Sequence, residues 1–458
     1  MTSSSREYGI AFHAKPGQTP TGDKKMQRGK IAAIAIVKNE QDVIEPFIRH
    51  NIRFVDHLII MDNGSVDNTM PIMKKLAGEF PNMLTVSDDS FGHTQAERMT
   101  RLMNRSQEIF PADFVVLLDA DEFIDCSDAD SFAVALARIP PGGFGAIVWS
   151  TFVLTPIMLN SEKYEKDPLR TMIWRRRVEW EPNYKAIIRL DCKPAEGVLI
   201  GQGNHNVYAA DNSELLNYVH LPNVKLHHYP VRSREQLTAK AVIGWMAYLA
   251  KDPLAASHPL NHGFHRRDIF ERIANGKPID DSLLCEISIL YSQNPRVVNW
   301  DEDVVKCSPL EFERRYSTGR ALDAMQLIAR SWQQSIVGNA IKVAENLVAA
   351  GRTREATEYL KKAIAQEETA DLCNALAALQ YKIGDVKEAE QGFLHALELD
   401  KTNRHAAVNL GFLLFTQGRI KEGTPLFQQH LRTITEEEKR AMHQLKKQWR
   451  AQTASVPD

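Results

Sequence analysis

Asp119, Asp121 and Glu122, with Asp125 just beyond, follow directly on the apolar run FVVLL (114–118). Carboxylates are costly to bury and repel one another, so neighbours of this kind need something to offset the cost. Alternation along an extended chain puts Asp119 and Asp121 on one side. Two aspartates on one side can share a divalent cation, and Mg²⁺ or Mn²⁺ held by few carboxylates is usually completed by phosphate oxygens. A second acid, Asp62, ends the run HLIIM ahead of the turn NGSVDNT. Ligands of parallel α/β sheets bind outside the carboxyl ends of the strands, so both acidic sites are expected to face one crevice holding a metal and a diphosphate. The competing reading is a solvated acidic turn. On the metal reading, Asp121→Asn loses metal-dependent nucleotide binding with little loss of stability, and relief of repulsion could raise the melting temperature of the metal-free protein.

A crevice of this kind needs a sheet to carry it. IAAIAIV (31–37), HLIIMD (57–62), MLTVSD (83–88) and FVVLLDAD (114–121) read as short strands, with helical patterns between them. Alternation of this type predicts βαβ units and a mostly parallel, Rossmann-like sheet covered on both faces. From 140 to 230 the texture is mixed, with strands expected in GFGAIVWSTFVL, RTMIWRRRVEW, YKAIIRL and KLHHYPV. SREQLTAKAVIGWMAYLA is a helix capped by Ser233.

The last stretch repeats. Gly351, Gly384 and Gly418 recur at steps of 33 and 34, Leu376 matches Leu410, Ala377 matches Gly411, and Phe393 matches Phe427. Small residues at a helix crossing with an aromatic in the second helix resemble tetratricopeptide repeats, whose helix pairs bury their apolar faces only by stacking. The expected organisation is a loose tail over 1–29, an α/β domain over 30–250, a helical linker region over 251–335, repeats over 336–437, and a C-terminal helix and tail over 438–458.

Composition narrows the field. A chain of 458 residues with 43% hydrophobic and 25% charged residues has material for two or three domains. A net charge of −2 gives no case for a nucleic-acid partner. Five scattered cysteines without CxxC spacing fit a reducing compartment. No apolar run approaches the ~18 residues of a membrane span, and the N-terminus lacks the apolar stretch of a signal peptide. A cytoplasmic location is expected, either free or peripheral at the inner membrane surface.

IAIVKNE (34–40), IRHNIRFVDHLIIMDNGSVDNT (48–69) and FVVLLDADEFI (114–124) resemble the nucleotide-sugar half of a GT-A fold glycosyltransferase, of the family-2-like bacterial type related to glycosyltransferase family 92. YKAIIRL (184–190) and HHYPVRSREQLTAK (227–240) fit the same group, so the resemblance covers roughly residues 30 to 245. It implies a metal-dependent transferase of the hexosyltransferase type, moving a sugar from a nucleotide sugar to a hydroxyl of a glycan, a lipid-linked saccharide or a protein, with inversion. UDP is the first choice of nucleotide and GDP the second. Asn39 and Glu40 would lie beside the nucleotide, and Asp62, next to Asn63, would accept a hydrogen bond from base or ribose. Asp119 would sit near ribose and metal, Asp121 would be the main ligand of Mn²⁺ or Mg²⁺, His228 would complete the metal site, and Lys185 would neutralise phosphate charge. The second strand ends in Asp-Asn where many relatives have Asp-Asp, and no acid matches the catalytic base of inverting members. Glu179, Glu181 and Asp191 are base candidates because they fall in the mixed region where an acceptor should lie; each reads more readily as a surface or turn residue.

Other features carry weaker chemistry. His258, His262 and His265 have ligand spacing, but Pro259 and Gly263 break any helix there. Arg175 to Arg177 could meet an anionic acceptor, and Trp174, Trp180 or Trp245 a sugar face. The rival to an enzyme is a transferase-like domain without activity that works with the repeats as a protein-interaction scaffold. A nucleotidyltransferase would want a Gly-rich phosphate loop after the first strand, and KNEQDVIEP is not one.

Overall fold

The computed structural model describes residues 28–87, 95–191, 197–211, 214–251 and 264–429. Twelve strands are present among them: β1 (Ile31–Val37), β2 (His57–Asp62), β3 (Met83–Ser87), β4 (Phe114–Leu118), β5 (Glu122–Asp125), β6 (Phe144–Thr151), β7 (Trp174–Arg176), β8 (Tyr184–Arg189), β9 (Val198–Ile200), β10 (Val207–Ala209), β11 (Tyr218–His228) and β12 (Val304–Lys306). Eight of them make one sheet in the order β3-β2-β1-β4-β8-β6-β11-β5.

β1 to β4 are mutually parallel where they pair. Both faces of β1, β2 and β4 are buried, as their apolar runs require, while the edge strand β3 is only partly covered. Ile31, Ala33, Ala35 and Val37 of β1 join one core and Ala32 and Ile34 the other. β4 divides likewise, Val116 and Leu118 against Val115 and Leu117. The chain runs from β1 outward to β3 and then returns to place β4 on the other side of β1. Strand order therefore reverses between β1 and β4, which opens a crevice at their carboxyl ends.

β8 is antiparallel to both β4 and β6, so its first residues reach the carboxyl end of β4. β11 runs parallel to β6, and its last residue, His228, arrives at the same edge. β5 pairs antiparallel with β11, so the chain turns sharply after Leu118 rather than extending the fourth strand through the aspartates as the sequence pattern predicts.

The region expected to be a separate helical linker is packed into the first domain. β12 pairs with β7, and Glu45, buried at the start of helix Ile44–Asn51, accepts hydrogen bonds from the backbone N–H groups of Arg315, Tyr316 and Ser317 at 2.8 to 2.9 Å. Helix Arg234–Lys251 follows β11 with Ser233 as its cap, Oγ accepting from the Gln236 N–H.

Three helical hairpins follow in tandem: Ala324–Ala349 with Thr353–Gln366, Ala370–Ile383 with Val386–Leu399, and Arg404–Thr416 with Ile420–Gln429. Gly351, Gly384 and Gly418 each occupy the left-handed turn between the two helices, with φ of 76°, 94° and 77°. That is why glycine recurs at this step. The first hairpin begins at Ala324, twelve residues before the boundary the sequence pattern predicts at 336. The tail, the expected C-terminal helix, His258 and His262 fall outside the described residues. No helix among the described residues is long and apolar enough to cross a membrane.

Candidate active site

A cavity of about 450 Å³ opens at the β1/β4 reversal. Asn39, Glu40, Asn63, Asp119 and Asp121 line it from the loops after β1, β2 and β4. Lys185 of β8, His228 of β11 and Lys240 of helix Arg234–Lys251 close the other side. Asp62, the last residue of β2, is buried and is not part of the wall.

Asn39 and Glu40 hold the first loop against the turn after β2. Asn39 takes a positive φ of 56°, donates its N–H to Ser65 Oγ at 2.9 Å and accepts from the Val66 N–H at 2.8 Å. The Glu40 N–H donates to Thr69 Oγ1 at 2.8 Å. Asp62 Oδ2 accepts from the Ser65 N–H at 3.0 Å, while its buried Oδ1 has no hydrogen-bond partner among the described residues. Burial pushes the Lys38 ammonium below its ordinary range, although the Asp62 charge works against that.

The offset for the aspartates comes first from the protein's own cations. Lys185 is fully buried and donates to Asp119 and to the Gly203 carbonyl at 2.8 Å, with Glu122 Oε1 3.4 Å away. Burial alone would lower the Lys185 pKa; Asp119 and Glu122 outweigh it and raise the pKa. Asp119 also accepts from Asn204 Nδ2 at 3.2 Å. Asp121 is buried, accepts from Lys240 Nζ at 3.0 Å and has Arg232 Nη1 at 3.7 Å. Burial would raise its carboxyl, but the Lys240 and Arg232 charges hold it well below the usual range. Arg232, also buried, binds Asp42 at 2.6 Å, Glu40 at 2.6 Å and the Tyr229 carbonyl at 3.1 Å. It ties the loop after β1 to the end of β11.

Glu122 accepts from the Asp119 N–H at 2.8 Å and from Trp149 Nε1 at 2.7 Å. Burial pushes its carboxyl up to about 8, with Lys185 opposing. Glu40 is pushed up to about 7 by burial, with Arg232 opposing.

A divalent cation can be tested against these donor atoms. Asp121 Oδ2 is taken by Lys240, but Oδ1 has no hydrogen bond among the described residues and stands 3.9 Å from His228 Nε2. Burial pushes the His228 imidazole down to about 3, so the ring is neutral and its nitrogen lone pair is open to a metal. Its position is fixed by stacking on Trp149, with ring centroids 4.1 Å apart. Two ligands each about 2.1 Å from one ion and at right angles stand about 3.0 Å apart, so the 3.9 Å gap closes on an ion with about an ångström of side-chain rotation. Asp121 and His228 therefore fit a cation, whereas Asp119 is engaged by Lys185 and does not converge with them. Among the described residues, the group of three close ligand atoms lies elsewhere, in the repeats.

The base candidates are not brought into the cavity. Glu179 is held by the Thr151 N–H at 2.6 Å and by Arg176 at 2.7 Å. Glu181 is exposed and bonded to Asn294. Asp191 grips Arg189 at the opposite end of the sheet, where Arg189 pairs with Phe114 at the start of β4. Arg176 is a buried clamp on the carbonyls of Ile289 and Tyr291, at 2.8 and 2.6 Å, not an anion patch. Trp180 carries Arg296 on its face at 3.9 Å, and Trp245 is core. Arg232, Trp149 and Asn204 were not singled out by the sequence reading. Arg232 and Lys240 do lie in the HHYPVRSREQLTAK segment that carries the family resemblance.

No protein-family model matches the chain, and no curated protein matches it. Among solved structures, the chain is similar to the second tetratricopeptide domain of Spaghetti (RPAP3) bound to an HSP90 peptide, with 23% identity, 22% of this chain and 96% of that one covered, and a TM-score of 0.20. It is also similar to the second such domain of human RPAP3 in complex with an HSP70 peptide, at 20% identity, 25% and 97% coverage and a TM-score of 0.23. The tetratricopeptide domain of Arabidopsis OM64 gives the same four values.

Proposed function

We propose that this chain is a glycosyltransferase that moves a sugar from a nucleoside diphosphate to a hydroxyl of a glycan, a lipid-linked saccharide or a protein. The observation that carries the reading is the cavity at the strand-order reversal, where Asp121 and a neutral His228 stand across an ion-sized gap. UDP is the first choice of nucleotide and GDP the second. Mn²⁺ or Mg²⁺ would be held by Asp121 and His228, and when bound it supplies Lewis-acid stabilisation of the departing diphosphate.

The chain's own groups do the rest. Lys240, one-third exposed at the cavity wall, is available to diphosphate oxygens. Lys185 is committed to holding Asp119 in place. As the anomeric carbon leaves the diphosphate and bonds the acceptor oxygen, the acceptor's proton needs a base. Of the described acids lining the cavity, Glu40 has a pKa of about 7, suited to that task at neutral pH. The stereochemistry we assign is inversion.

The test is a calorimetric titration of UDP and GDP into the protein with Mn²⁺ and with EDTA, beside Asp121→Asn. Metal-dependent binding that the substitution abolishes supports the assignment. Absence of binding in folded protein refutes it. A second reading, a nucleotide-binding domain without turnover that serves as a scaffold with the repeats, draws on the ion pairs that already neutralise both aspartates. Tight nucleotide binding with no sugar release under any acceptor would favour it.

A further inference from the structure

We propose that the second helical hairpin holds a zinc-type transition-metal site made of Glu368, Cys373 and His395. One ligand atom from each lies within 4.8 Å of the other two. Glu368 sits in the connection before helix Ala370–Ile383, Cys373 within that helix, and His395 on the facing helix Val386–Leu399. The ligand set mixes one thiolate, one imidazole and one carboxylate, the donors that zinc takes, and it lacks the all-oxygen shell of Mg²⁺ or Ca²⁺.

The imidazole is already oriented. His395 Nδ1 faces Glu398 Oε2 at 3.4 Å, and Nε2 faces Glu368 Oε1 at 3.0 Å. In the metal-free protein both carboxylates raise the His395 pKa, so the ion must take the place of the proton between Nε2 and Glu368, while Glu398 on Nδ1 keeps the ring's tautomer and aim. Zinc bonds of about 2.0–2.3 Å put tetrahedral ligand atoms about 3.5 Å apart, so closure requires roughly an ångström of side-chain rotation. Glu368 is exposed and His395 half-buried, which leaves the fourth position to water. Cys373 is a buried free cysteine among Ala396 and Ala406, so its sulfur approaches the ion from the core side. The bland alternative is a surface Glu–His–Glu ion pair over an inert buried thiol. It predicts no sulfur–metal bond.

The site would staple the connection between hairpins to both helices of the second hairpin. Because the thiol must lose its proton to bind, metal affinity falls as pH falls. The experiment uses EDTA-stripped full-length protein titrated with Co²⁺. A thiolate-to-cobalt charge-transfer band should appear in the near ultraviolet at about one equivalent and vanish on adding Zn²⁺. It should be lost in Cys373→Ser, weakened at least tenfold in His395→Gln, and unchanged in Asp121→Asn. His395 is half-buried on the helix surface, so its replacement leaves the hairpin folded even if Cys373→Ser disturbs the core. No sulfur–cobalt band, or a band that survives both substitutions, overturns the proposal.

Discussion

Replacing Asp121 by Asn should weaken the fold, the reverse of what the bare run of carboxylates implies. From sequence, the dominant neighbours of Asp121 are other acids, and neutralising it would relieve repulsion. In the fold it meets Lys240 at 3.0 Å and Arg232 at 3.7 Å, while Asp119 is turned to Lys185. A hydrogen bond to a charged group contributes about 1.5–3 kcal/mol, and removing one partner leaves the other charge uncompensated. Lys240 is one-third exposed and regains water, which discounts its share, and Arg232 keeps Asp42 and Glu40. The expected cost is therefore about 2 kcal/mol, a factor of about 30 in the folding equilibrium. Because the folded-state pKa is depressed, this stabilisation is complete above the ordinary Asp value of about 4 and fades only as pH falls towards the depressed one. Urea unfolding at pH 7 measures it, followed by tryptophan fluorescence, to which the α/β part contributes five of the seven tryptophans, and by far-ultraviolet dichroism for the whole chain. An Asp121→Asn protein as stable as the parent, or more so, would refute the assignment of Lys240 and Arg232 as its charge partners.

Arg232→Met should cost more, about 3–5 kcal/mol, because Asp42 and Glu40 then stay buried without their partner; the urea midpoint of the fluorescence transition reads it. His50 is buried, neutral and pushed down to about 4, with Nε2 donating to the Ile124 carbonyl at 2.8 Å. Its unfolded form binds a proton near pH 6.5, so stability is complete above that and is lost between about 6.5 and 4; His50→Gln should flatten this part of the urea-midpoint profile. In the repeats, a side chain at Gly411 would start 2.7 Å from the Phe427 ring, so Gly411→Val should cost roughly 1–3 kcal/mol in the helical transition and leave nucleotide binding unchanged. Glu40→Gln should reduce glycosyl transfer with little change in UDP affinity, and should remove any activity rise centred near pH 7.

Much of this architecture is set by neighbours along the chain. The apolar runs at 31–37 and 114–118 must be buried on both faces, so a parallel sheet follows from them and the acids after them must emerge at its edge. Gly351, Gly384 and Gly418 mark left-handed turns because a side chain is strained there, and the repeat period follows. Solvation and backbone sterics of this kind act within a few residues. The choice of charge partner does not. Lys185 lies 66 residues from Asp119, and Lys240 lies 119 from Asp121; only the insertion of antiparallel β8 beside β4, and the return of β11, bring them there. The same strand direction carries Asp191 to the far edge and spends Glu179 on Arg176. A carboxylate's role depends on which cation reaches it first in the low-dielectric interior, and strand order in three dimensions decides that.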